Sequence, residues 1–264
     1  MEAFKQLSAG IDHFISTLLS QTIYGNDLVG ITQYHFYIAL GIILLFVFVF
    51  AGVKKLELVP KGRFVNIFES IFEYIQNSVV YDVLGPQGRK HLPFLMTLFF
   101  FILINNLVGN IPGMKPGTGT IGVTLALATI SFIYFIVVGV KSQGVFGYLK
   151  SLAPKGLNPI ITFVIWLIEL FSTALRLITL AVRLFANLFA GHIIIAAFAL
   201  LTSLFFIPLL QQFTLGNLVG AIPSIAWLAI LVFIWALEIV VSVIQAFVFT
   251  ILSAVYIQIA EEAH

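Results

Sequence analysis

Long apolar stretches dominate this chain, and in one further segment apolar residues recur at helical spacing instead. Residues 32–53 form the first apolar run, about 20 positions long, enough for a helix to cross a hydrocarbon layer. Residues 64–82 differ: Phe64, Ile67, Phe68, Ile71, Phe72, Ile75 and Val79 fall on one side, with Asn66, Glu69, Ser70, Glu73, Gln76 and Asn77 on the other. That pattern predicts an amphipathic helix lying in the membrane interface. Residues 93–108 and 120–140 predict two more spans, joined by GNIPGMKPGTGT, whose glycines and prolines make an irregular turn.

The last two stretches are too long for upright spans. Residues 159–207 run 49 positions with no proline after Pro159 at their start, about 73 Å as a helix against a core of about 30 Å. Residues 224–262 would reach about 58 Å. Both helices must tilt strongly, bend or leave the bilayer, with residues 206–220 (Pro208, Gln211, Gln212, Gly216, Asn217) as the hairpin between them. The predicted fold is an all-α polytopic membrane protein. It forms one membrane domain over 1–264, with five embedded helices, one interfacial helix and a long tilted C-terminal hairpin. Residues 1–31 read as an extramembrane tail, neither a secretory signal nor an Arg-rich transit peptide.

Composition agrees: 61% of residues are hydrophobic and 9% charged, against roughly 25% charged in soluble domains. The absence of cysteine excludes disulfides, thiolate metal sites and cysteine nucleophiles. A net charge of +2 is too small to point to nucleic acid. Placement of the basic residues predicts orientation. Lys54, Lys55, Lys61, Arg63, Arg89 and Lys90, then Lys141, Lys150 and Lys155, fall on one side, and only Lys5 and Lys115 on the other. The N-terminus is therefore expected outside and the C-terminus in the cytoplasm.

A few charges remain inside apolar segments. Glu169, Arg176 and Arg183 are spaced seven and seven, within about 40° of one another around a helix. An arginine at mid-membrane costs about 2.5 to 3.5 kcal/mol, so none is expected to face lipid unpaired. Glu169 and Arg176 stand near the cytoplasmic end, where snorkelling or local pairing satisfies them. Arg183 is deeper, with no acid within one turn, and is the first functional candidate. His192 and Glu238 are either an internal ion pair or two stations of a proton path, since an imidazole gives and accepts protons near pH 7. Asn105, Asn106 and Asn110 either cap the outer turn or line a water-filled vestibule. No phosphate-cradling motif and no i, i+4 histidine pair occurs, so no cofactor or metal is expected.

Two motifs make the pattern specific. LAVRLFANLFAGH (Leu180 to His192) sets Asn four residues after Arg183 and Gly-His eight and nine after it, and EIVVSVIQAFVF follows from Glu238. With VPKGRF before the amphipathic helix and INNLVGNIP at the outer turn, nearly the whole chain resembles subunit a of the F-type ATP synthase. The resemblance implies a stator that carries protons to and from a rotating ring of c subunits. It implies partners in the c-ring, peripheral-stalk subunit b, the rest of the FoF1 complex and the lipid bilayer, with no nucleic acid. Arg183 would face the ring carboxylate between two offset half-channels. Asn187, His192, Glu238 and Gln245 would line the outer one or the ring face, and Glu169 and Arg176 would lie near the cytoplasmic one. Some relatives carry the acid and histidine of positions 192 and 238 exchanged, and some have an Asp where this chain has Gly109. The motif's form suggests a bacterial plasma membrane. Competing readings are a stand-alone channel or secondary transporter, for which no internal repeat is visible, and a scaffold, which leaves Arg183 unexplained.

Overall fold

The computed structural model describes residues 22–24, 31–53, 62–151 and 159–262. Most of the tail and Lys5, Lys54, Lys55, Lys61 and Lys155 lie outside them. A small antiparallel ribbon, β1 (Thr22–Tyr24) and β2 (Ile31–Thr32), precedes α1 (Gln33–Val53). Helix α2 (Arg63–Ile75) widens into a π-helical stretch, Gln76–Leu84, and a 3-10 turn, Pro86–His91, feeds α3 (Leu92–Gly109). Then come α4 (Ile121–Gln143), α5 (Val145–Ser151), α6 (Pro159–Gln211) and α7 (Leu215–Glu262). Of these, α1, α3, α4, α6 and α7 are long and apolar enough to cross a membrane. Apart from the ribbon, the described residues form the all-α polytopic protein that the apolar runs predict.

Helix α3 is the packing centre: Leu95, Leu98, Phe99 and Ile102 are at most 4% exposed. Against this core α7 presents Ala246, Phe249, Ala254 and Ile257, and α6 presents Leu180, Leu184 and Leu188. Alanines on α7 let the backbones approach, which is how helices gain contact where the surrounding medium is as apolar as they are. A buried hydrogen bond adds direction, with Ser131 Oγ of α4 donating to Ser253 Oγ of α7 at 2.8 Å. The far end of α7 is tied down by Glu261, whose carboxylate meets Lys90 Nζ at 2.5 Å and His91 Nε2 at 3.2 Å. The other ring nitrogen of His91 faces the Tyr134 hydroxyl at 2.9 Å.

Two predicted boundaries move. The amphipathic segment is helical to Leu84, and Ile75, Val79 and Val80 are fully buried. Its apolar face is therefore covered in part by protein, with α7 packed on the π-helical stretch, while Glu73 and Asn77 stay exposed. The hairpin connection is also shorter than residues 206–220. Helix α6 passes through Pro208 to Gln211, and α7 begins at Leu215 with Pro223 inside it. The chemistry of the turn explains the short link. The Asn217 side-chain amide donates to the carbonyls of Pro208 (3.2 Å) and Gln212 (2.8 Å), while Thr214 Oγ1 accepts from the Asn217 N–H at 3.4 Å. End groups that a helix cannot satisfy itself are thus paired across the turn.

Candidate functional site

Midway along α6, Leu180, Ala181, Leu184 and Leu188 face the core and are 0–3% exposed. Arg183 lies on the other side and is exposed. Among the described residues no carboxylate forms an ion pair with it; the pairs present join Glu261 to Lys90 and His91, and Glu169 to Arg176. One turn further, Asn187 is half-buried, with its Nδ2 enclosed and without a partner.

On α7, Glu238, Ser242 and Gln245 are spaced four and three and share a buried side. The C-terminal end of α3 fixes this side. Asn110 Nδ2 donates to Ser242 Oγ at 2.9 Å, and its carbonyl accepts from Trp235 Nε1 at 2.7 Å. Glu238 stands between those two attachment points, with its carboxylate against the Cα of Gly191 on α6. That contact, together with Arg176 over Tyr256, sets the antiparallel register of α6 and α7 and brings Gln245 level with Leu184 to Asn187. His192 is half-buried, and no hydrogen bond or ion pair joins it to Glu238; Nε2 of the one and Oε1 of the other are both unpartnered.

His192 also lines a cavity of about 610 Å³ that includes Asn110, Lys115, Ala199 and Trp235. The turn from Gly109 to Pro116 forms one wall. Gly113 makes that turn with φ of +87°, a conformation open to glycine at little cost. Gly109 is pressed so closely onto Pro116 that a side chain would overlap it. The Lys115 ammonium sits 5.7 Å from the Tyr34 ring centroid, and burial lowers its pKa from the ordinary lysine value.

Of the three asparagines at this end of α3, Asn106 bonds the turn, Asn105 its own helix and Asn110 α7. Asn105 Nδ2 donates to the Phe101 carbonyl at 2.8 Å, and its Oδ1 lies against Gly41 and Gly117. Asn106 Oδ1 accepts from Thr118 Oγ1 at 2.7 Å. At the other end of α6, Arg176 Nη2 donates to Glu169 Oε1 at 2.7 Å and lies 5.5 Å from the Tyr256 ring centroid.

Seven buried side-chain polar atoms have no partner among the described residues: Asn105 Oδ1, Asn106 Nδ2, Asn110 Oδ1, Asn187 Nδ2, His192 Nε2, Glu238 Oε1 and Gln245 Nε2. All belong to residues that the sequence singles out. Native folds leave few such atoms, so their concentration between the 109–116 turn and the level of Arg183 marks this region chemically. No cluster of three metal-ligating side chains occurs among the described residues. Sequence reasoning missed the attachment of Trp235 and Ser242 to Asn110, the Tyr256 ring under Arg176 and the seat at Gly191. Trp235 and Ser242, at three before and four after Glu238, carried the only available signal.

Comparison with known proteins places these features in a family. Residues 34–258 match the family model described as ATP synthase A chain. ATP synthase subunit a of a Nocardioides species is 35% identical over 239 residues, covering 89% of this chain and 84% of that protein. The subunit a of Rhodopseudomonas palustris is 34% identical, over 90% of this chain and 92% of its own length. That of Chlorobium phaeobacteroides is 34% identical over 94% of this chain and 70% of its own. A match across so much of a chain with five long apolar helices and a charged α6–α7 hairpin makes this protein a multi-pass membrane member of the ATP synthase subunit a family.

Proposed function

We propose that this chain is the proton-conducting stator subunit of its synthase, and that Arg183 is the fixed charge separating two half-channels to the carboxylates of a c-ring. The observation that carries this reading is the exposure of Arg183 at mid-helix, off the buried leucine face and without a carboxylate partner among the described residues. Left against lipid, that guanidinium would cost about 2.5 to 3.5 kcal/mol. A carboxylate on a neighbouring ring offsets the cost. At about 4 Å and an effective dielectric near 20 the pair gains about 4 kcal/mol, equivalent to about three pKa units on the ring carboxyl.

That gain supplies the mechanism. A ring carboxyl crosses lipid protonated and neutral, is driven to ionise beside Arg183, and releases its proton to one aqueous path. Arginine stays protonated at working pH, so no proton passes by neutralising it. The transmembrane potential biases the direction by about 2.3 kcal/mol per charge per 100 mV.

Asn187, His192, Glu238 and Gln245 form the outer path, entered through the cavity beside Asn110, with Asn105 and Asn106 organising the turn above it. Their unpartnered polar atoms support a hydrated route, because such groups are served by water where protein does not serve them. The absence of a hydrogen bond or ion pair between His192 and Glu238 favours two stations over one ion pair. The paired Glu169 and Arg176 border the cytoplasmic path. The N-terminus is outside and the C-terminus in the cytoplasm of a bacterial cell, with peripheral-stalk subunit b as a further partner. Replacing Arg183 with alanine tests the reading. ATP-driven proton pumping and coupled synthesis are expected to vanish while the complex still assembles. Coupled pumping by an assembled Arg183→Ala complex would refute it.

A further inference from the structure

Gly191 is buried in the interior of α6, where glycine is about 0.5 to 1 kcal/mol less favourable than alanine. Its backbone conformation gives no reason for the choice, because positive φ among the described residues is confined to Gly85, Gly113 and Gly144. The reason is a neighbour. A methyl built at Gly191 would overlap both carboxylate oxygens and the carboxyl carbon of Glu238. Gly191 is the only described glycine whose missing side chain is replaced by a carboxylate. The carboxyl group therefore lies flat on bare backbone, one residue from His192, on a side chain only 6% exposed. On its own helix the same carboxyl is framed by Trp235 and Ser242, both held by Asn110.

We propose that Gly191 is a positioning residue for proton transfer: its lack of a side chain forms the seat that fixes the Glu238 carboxylate against α6 beside His192. The inference rests on the assignment of Glu238 to the outer proton path. It adds that the size of residue 191 determines which acid works at position 238. With alanine at 191 the glutamate is pushed out of register. Aspartate, one methylene shorter, withdraws the carboxylate by about the space the methyl takes. Geometry errors of about 1 Å in proton-transfer sites cost up to about a hundredfold in rate.

The experiment measures ATP-driven proton pumping, with the amount of assembled complex as control, in the intact complex carrying Gly191→Ala, Glu238→Asp, the two together, Glu238→Ala, and Gly191→Ala combined with Glu238→Ala. Gly191→Ala is expected to assemble, since alanine favours the helix, and to pump several-fold more slowly, a loss no larger than that of removing the Glu238 carboxyl itself. Adding Glu238→Asp is expected to restore most of the loss, which repair of mere helix packing would not do. In the Glu238→Ala background, Gly191→Ala is expected to have no further effect on pumping or assembly. Normal pumping by Gly191→Ala, no rescue by aspartate, or an equal assembly defect with and without Glu238 would each overturn the proposal. Normal pumping by Glu238→Ala would instead remove the underlying role of Glu238, so the two failures are distinguishable.

Discussion

In the proposed mechanism Arg183 and its neighbours on α6 divide the work by chemistry. Arginine keeps its charge when desolvated, whereas a lysine ammonium sheds its proton far more readily. Arg183→Lys is therefore expected to assemble and yet lose coupled pumping, measured as ATP-driven acidification of vesicles; full coupling would show that any cation suffices. His192→Leu and Glu238→Leu remove groups able to relay a proton and are each expected to slow flux several-fold without preventing assembly. Normal flux in both would reduce them to packing residues. These side chains were legible in the sequence because a charge or imidazole inside an apolar helix has few bland explanations. The seat at Gly191 and the Asn110 junction were not, because both depend on the register between helices far apart in sequence, which no local spacing encodes.

Among the elements, the α6–α7 hairpin carries the site and α3 and α4 hold it. The existence of these helices followed from apolar runs that only helices can bury in a membrane. Their ends did not, since Pro208 and Pro223 suggested breaks where the chain continues, with Asn217 and Thr214 pairing the exposed end groups instead. Likewise the apolar stripe of the α2 segment showed that one face is buried without showing that protein covers part of it. Polar contacts between helices are modest holds in this setting. A double-mutant cycle on Ser131→Ala and Ser253→Ala, read by unfolding of the purified complex, is expected to give a coupling of about 0.6 kcal/mol and no more than about 1.7. A larger coupling would mean that this bond, rather than the interleaved apolar side chains, secures α4 to α7.

As a whole molecule the chain presents apolar surfaces with Arg183 set among them. Phe163, Leu167 and Phe171 of α6 and Phe36, Phe46 and Phe50 of α1 are all exposed, with Arg183 further along the same α6. A bilayer can cover the phenylalanines; in the proposed function an acid from a neighbouring subunit meets the guanidinium. Co-purification with a c-ring and the peripheral stalk is the corresponding expectation, and isolation as a stable homo-oligomer without a ring would contradict it. The most direct measurement is the separation between the Arg183 guanidinium and the nearest ring carboxylate in a structure of the assembled complex. A closest approach of about 4 Å, directly or through one water, is the result expected from the charge-pair argument. An Arg183 enclosed by lipid, or paired with a carboxylate of its own chain while every ring carboxylate stays beyond about 10 Å, would contradict the account.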